Sequence, residues 1–182
     1  MAVTLSSLSI VREKETGTLE QLFMTPVGSS ELILGKMFPY LVITFLEFYF
    51  ITILMVLLFR VPIHGAFLTL LGLATPFVLS MLGLGLWVST MVGTREAATQ
   101  VSAGTLIPSI FLSGYVFPLD SMPPFFRFVA NLIPTTWMID AARGVILRGA
   151  GWPELKLHSA VLWSMAVGIL VISTLKFRKR LS

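Results

Sequence analysis

The chain has 182 residues, of which 55% are hydrophobic and 12% charged, with a mean hydropathy of +0.89. Those values lie outside the range of soluble globular domains and define an integral membrane protein. The net charge of +4 would suit a nucleic-acid binder, but the 13 Lys and Arg are scattered between apolar runs, so they read as topology signals with no nucleic-acid partner; the absence of cysteine excludes disulfides and thiolate metal sites.

In chain order, residues 2–10 are apolar but too short to span, and read as the end of a membrane helix. A signal-peptide core is the other reading; the lack of a basic start and the charged run that follows argue against it. Residues 12–30 are polar. Thr18 and Gln21 fit a capping box that opens a short helix over about residues 19–24, which Pro26 and Gly28 end before Ser29 and Glu31 cap the next helix. Leu19, Leu22 and Phe23 would share one face, as in a helix pressed into a groove of a soluble partner. An interfacial helix on lipid headgroups has the same spacing. Glu13, Glu15 and Glu20 count against that alternative, because an anionic leaflet repels them.

Four segments are apolar and long enough to cross about 30 Å of hydrocarbon: 37–59, 66–92, 101–117 and 157–175. The first carries Glu47 near its middle, where a charge costs about 2.5 to 3.5 kcal/mol on insertion scales. It is either a pathway contact for substrate or protons, or a protonated packing residue. The second holds Gly85, Ser89 and Gly93, a row of small residues that suits a close helix interface. The third contains Pro108 and a stripe of Thr105, Ser109 and Ser113, which either lines a pathway or permits close packing, packing being the default. Residues 118–153 are too broken to span. Pro123 and Pro124 suit the first turn of one short helix, and Thr135 or Thr136 the cap of another running through Asp140 to about Leu147. Both would be re-entrant or interfacial, with Trp137 and Trp152 at headgroup depth. His64 and His158 have no second ligand at metal spacing and read as interfacial side chains.

Arg12, Lys14, Lys36, Arg95, Lys176, Arg178, Lys179 and Arg180 fall on one side of these spans, and Arg60, Arg127, Arg143, Arg148 and Lys156 on the other. The excess marks the cytoplasmic side, so both termini are expected there and 118–153 outside. Gly28 to Lys36 is a near miss for a phosphate-binding loop, with six residues between its glycines and Met37 after the Lys. No nucleophile–base pair or paired-carboxylate arrangement stands out. An energy source is therefore expected in a partner, and no catalytic residue, cofactor site or metal site in this chain.

Two runs of residues then resemble the membrane subunits of ABC-2 type exporters. The first is Glu13, Glu15, Gly17, Thr18, Leu19, Glu20, Gln21 and Leu22, followed by Thr25, Pro26, Gly35 and Lys36. The second is Phe111, Leu112, Ser113, Gly114, Phe117 and Pro118, followed by Pro124, Asn131, Pro134 and Thr136. The resemblance covers nearly all of 12–182. It implies an all-α polytopic fold of four full spans, a cytoplasmic coupling helix over 16–24 seated in a cleft of a separate ATP-binding subunit, and an outer re-entrant helix pair. It implies a permease subunit in the cytoplasmic membrane, paired with a second copy or a similar subunit, with ATP and Mg held by the partner. The coupling residues would be Glu13 through Pro26 as named. The candidate pathway and gate residues are Glu47, Thr105, Ser109, Ser113, Gly114, Phe117 and Pro118. The family's first span, most of its second and a preceding amphipathic helix have no counterpart here, which implies either a start placed too late in the gene or a truncated copy; the other expectation is therefore a truncated paralogue acting in assembly or regulation. A membrane-embedded enzyme using Glu47 and Asp140 is a more distant reading.

Overall fold

The computed structural model describes residues 1–17 and 29–179, and all the regular structure there is helical. In order, these are α1 (Ala2–Glu15), α2 (Ser29–Phe59), α3 (Phe67–Met91), α4 (Arg95–Leu112), a 3₁₀ turn at Leu119–Ser121, α5 (Pro124–Asn131), α6 (Pro134–Arg148) and α7 (Trp152–Lys179). Three of them are long and apolar enough to cross a membrane: Gly35–Phe59, Phe67–Met91 and Trp152–Phe177, of 25, 25 and 26 residues. At 1.5 Å per residue each reaches beyond the hydrocarbon thickness.

The segment expected over 101–117 is instead the 18-residue α4, which opens with Arg95 and Glu96 and stops at Leu112. Its start is set by a cap and not by hydropathy. The Thr94 carbonyl accepts from Ala98 N at 3.0 Å and the Thr94 hydroxyl oxygen accepts from Ala97 N at 3.3 Å, as an N-cap residue does. α1 likewise runs on through the charged residues to Glu15. Its end comes at Gly17, whose φ of 70° breaks the helix and whose N–H bonds back to the Lys14 carbonyl at 3.3 Å. The expected capping box at Thr18 and Gln21, and the short helix after it, lie outside the described residues.

The chain forms two compact units, Met1–Phe45 with Val78–Gly104 and Val167–Ser182, and Leu46–Phe77 with Thr105–Ala166. In the first, glycines let neighbouring helices approach α3. A Cβ on Gly85 would stand 2.8 Å from the Ser6 Cβ of α1, and one on Gly83 would stand 3.0 Å from Ile169 Cγ2 of α7. Hydroxyl bonds fix both contacts. Ser6 donates to the Leu82 carbonyl at 2.9 Å, and Ser173 to the Gly83 carbonyl at the same distance. Ser7 and Ser102 join α1 to α4 at 3.1 Å, above a small core of Val11, Val88, Val92 and Ala98. Of the expected small-residue row, Gly85 makes the close approach and Ser89 is buried, whereas Gly93 lies past the end of α3 with nothing near it.

In the second unit, α6 does not begin on Thr135 or Thr136. Ile133 is its N-cap and Pro134 its first residue, where a missing N–H is harmless. The buried Thr136 hydroxyl instead donates to the Ala130 carbonyl at 2.7 Å, folding α6 back on α5, and Trp137 Nε1 donates to the Asn131 carbonyl at 2.9 Å. Gly149, at φ 67°, ends α6 in a left-handed cap with Ala150 N bonded to the Gly144 carbonyl at 3.0 Å. The backbone N–H groups of His64 and Gly65 tie the α2–α3 connection to the Ile146 and Val145 carbonyls.

Candidate functional site

Successive helical residues point about 100° apart, so three in a row at a helix end can reach three neighbours. The last turn of α1 does this. Glu13 forms an ion pair with Lys36 of α2, Lys14 donates its ammonium to the Ser89 carbonyl of α3, and Glu15 pairs with Arg95 of α4. The Glu15 carboxylate meets Arg95 twice, at 2.7 Å from Nε and, through its other oxygen, at 2.9 Å from the backbone nitrogen.

The chemistry of the three contacts follows from where they fall. Ser89 lies in the last turn of α3, whose terminal carbonyls have no partner within the helix and carry partial negative charge. Arg95 is the first residue of α4, whose N–H groups carry partial positive charge. Lys14 therefore caps one helix with a cation while its neighbour Glu15 caps the next with an anion. The two helices are joined only by Val92, Gly93 and Thr94, so the end of α1 grips both sides of one tight connection. The side chains of Glu13 and Lys36 are 26% and 21% exposed, which shields their pairing from bulk water more than a surface ion pair. Just beyond the grip, Gly17 releases the chain into residues 18–28.

Of the expected coupling residues, Glu13 and Glu15 are thus engaged within the chain, Gly17 is the helix stop, and Thr18, Leu19, Glu20, Gln21, Leu22, Thr25 and Pro26 lie outside the described residues. Among the expected pathway residues, Glu47 is half-buried on α2 and has no hydrogen bond or ion pair among the described residues. The stripe on α4 spends hydroxyls on its own helix. Ser109 donates to the Thr105 carbonyl and Ser113 to the Ile110 carbonyl, both at 2.8 Å, which favours the packing reading for these two. Gly114 is buried at φ 79°, with Leu119 where a Cβ would point. Phe117 is exposed and stacks on Phe111 at 6.2 Å between ring centres, and Pro118 caps the 3₁₀ turn. No bond joins Glu47 to these residues.

Lys14, Lys36 and Arg95, read from sequence only as topology charges, turn out to be the partners that organise the site. His158 is not alone either: its Nε2 lies 2.7 Å from Asp140 Oδ2, and Trp137 packs edge-on against its ring at 5.6 Å. No group of three or more His, Cys, Asp or Glu able to hold a metal occurs among the described residues.

A multi-pass helical membrane protein with a charged helix end gripping three other helices is the class that the fold and site define. Residues 1–147 match the family model for the ABC-2 type transporter, and the chain belongs to that family. It is 34% identical to the probable multidrug ABC transporter permease YbhS of Escherichia coli, over 97% of this chain and 47% of that protein. It is 28% identical to the inner membrane transport permease YhhJ of Escherichia coli, over 98% of this chain and 48% of that one. Similarity extends to ABC transporter G family member 20 of Dictyostelium discoideum, at 28% over 98% of this chain and 25% of the relative. The chain thus spans about half the length of the bacterial permeases it matches. No solved structure matches it.

Proposed function

We propose that the chain forms part of the translocation path of an ATP-driven exporter and couples it to a separate ATP-binding subunit, with residues 16–24 docking on that subunit from the cytoplasmic side. The observation that carries this reading is the triple grip of Glu13, Lys14 and Glu15 on α2, α3 and α4, immediately before the docking segment. A displacement of 16–28 by the partner reaches those helices through ion pairs and helix caps. ATP and Mg belong to the partner, and a second permease copy completes the path. The C-terminus and the grip then face the cytoplasm, and α5 and α6 form the outer re-entrant pair. Two relatives are named as probable multidrug permeases, so amphipathic drugs are the substrate class to try first.

The test is made on the complex of permease and ATP-binding subunit in proteoliposomes, with efflux of an amphipathic fluorescent dye and ATP hydrolysis followed together. Leu22→Asp is expected to abolish efflux and its dependence on ATP while the protein still inserts. Unchanged ATP-driven efflux from that variant would refute the docking role.

A further inference from the structure

A cavity of about 690 Å³ opens beside the grip, between α1, Tyr40 of α2 and Arg95 of α4, a size typical of small-molecule sites. Its lining along α1 is a single helical face, since Leu5, Ser9, Arg12 and Thr16 follow one another at four, three and four residues. That face changes character along its length. Along α1 the lining passes from Leu5 and Leu8 to Arg12, and Arg95, paired with Glu15, stands at the charged end, where α1 reaches its last turn. Leu5 and Arg12 are seven residues apart, about 10 Å along the axis, so an apolar wall and a cationic wall face the same space in sequence.

The charges in the lining are not equally available. Glu13 is committed to Lys36 and Arg95 to Glu15, which leaves the exposed Arg12 guanidinium without an ion pair among the described residues. The Ser9 and Tyr40 hydroxyls likewise make no hydrogen bond to a described residue. A cation and two hydroxyls with no partner among the described residues, beside an apolar extension in one cavity, make a receptor for a singly charged phosphodiester carrying an acyl chain.

We propose that this cavity is a binding site for one anionic phospholipid, its phosphate on Arg12 with Ser9 and Tyr40 as further donors and its acyl chain along Leu5 and Leu8. The position suits that occupant, because the ion pairs with Lys36 and Arg95 put the end of α1 and the start of α4 at the level where charged groups leave the hydrocarbon. A lipid there would brace the gripped end of α1, and its loss would loosen the grip.

Native mass spectrometry of the full chain in a neutral detergent, with phosphatidylglycerol or phosphatidylcholine added at equal concentration, tests this. The native chain is expected to retain phosphatidylglycerol in preference to phosphatidylcholine. Arg12→Gln should lower that preference about fivefold, the effect of one cation at an anionic headgroup, and Arg12→Lys should preserve most of it. Arg148→Gln, an exposed cation of the other compact unit, should leave it unchanged. Should Arg12→Gln not fold, Tyr40→Phe is expected to show a smaller loss in the same direction. Equal retention of both lipids, an undiminished preference in Arg12→Gln and Tyr40→Phe, or displacement of the lipid by millimolar inorganic phosphate would each overturn the proposal.

Discussion

Glu15→Gln separates a structural role for the grip from a coupling role. The substitution keeps an oxygen for the Arg95 backbone N–H but removes the charge that pairs with the guanidinium and complements the start of α4. The guanidinium is 45% exposed and the carboxylate 28%, so the ion pair is screened and contributes about 0.5 kcal/mol. The lost interaction with the helix terminus adds about 0.3–1 kcal/mol. The total, about 1 kcal/mol, is too small to unfold a unit held by buried Leu82 and Leu86, and melting in detergent should move by only a few degrees. Under the proposed function coupling should suffer far more, because the same contact would carry motion between α1 and α4. In proteoliposomes with the ATP-binding subunit, dye exported per ATP hydrolysed is expected to fall severalfold. Exchanging the charges, Glu15→Arg with Arg95→Glu, should restore part of the ratio; recovery stays partial because an arginine cannot accept from the α4 N–H groups. If Glu15→Gln keeps the native ratio, or loses it only in proportion to folded protein, the grip is structural and the coupling argument fails.

Gly85→Val should lower thermal stability by about 1–3 kcal/mol, since its Cβ would stand 2.8 Å from the Ser6 Cβ and α1 must move off α3; detergent melting checks this. Gly149→Val should cost about 1–2 kcal/mol through the left-handed cap, and protease cleavage near the end of α6 should rise with it. Thr136→Val removes the buried hydroxyl bond to the Ala130 carbonyl, which keeps the Ile133 N–H at 3.0 Å, so a loss of about 1 kcal/mol is expected, with faster hydrogen exchange confined to α5 and the start of α6.

Hydropathy made the three long apolar helices legible in the sequence, because lipid imposes length and composition together. It misplaced α4, whose start depends on one hydroxyl at Thr94, and it assigned the α6 cap to threonines when a proline and a backbone-facing Thr136 do the work. Glu13 and Glu15 were recognisable as a motif, but their partners were not. The contacts made by residues 13, 14 and 15 cross 23, 75 and 80 positions, and no periodicity links such distant residues. One signal was present: Lys14, Lys36 and Arg95 all fall on the same side of the spans, so charges read only as orientation marks stood at one level, where they could pair. The bond from Trp137 to the Asn131 backbone carbonyl and the pairing of His158 with Asp140 span only 6 and 18 positions, but each crosses a break between helices, where helical periodicity is lost.

The absence of native cysteine makes one measurement direct. Glu15→Cys with Arg95→Cys removes the ion pair, and a short bifunctional thiol reagent can replace it with a covalent link. The account predicts that dye efflux per ATP falls in the double-cysteine protein and recovers once the two sites are joined, because a fixed contact between α1 and α4 is what transmits the stroke. Efflux that is native before linking, or that stays low after it, would contradict the claim that the end of α1 couples the spans to the ATP-binding subunit.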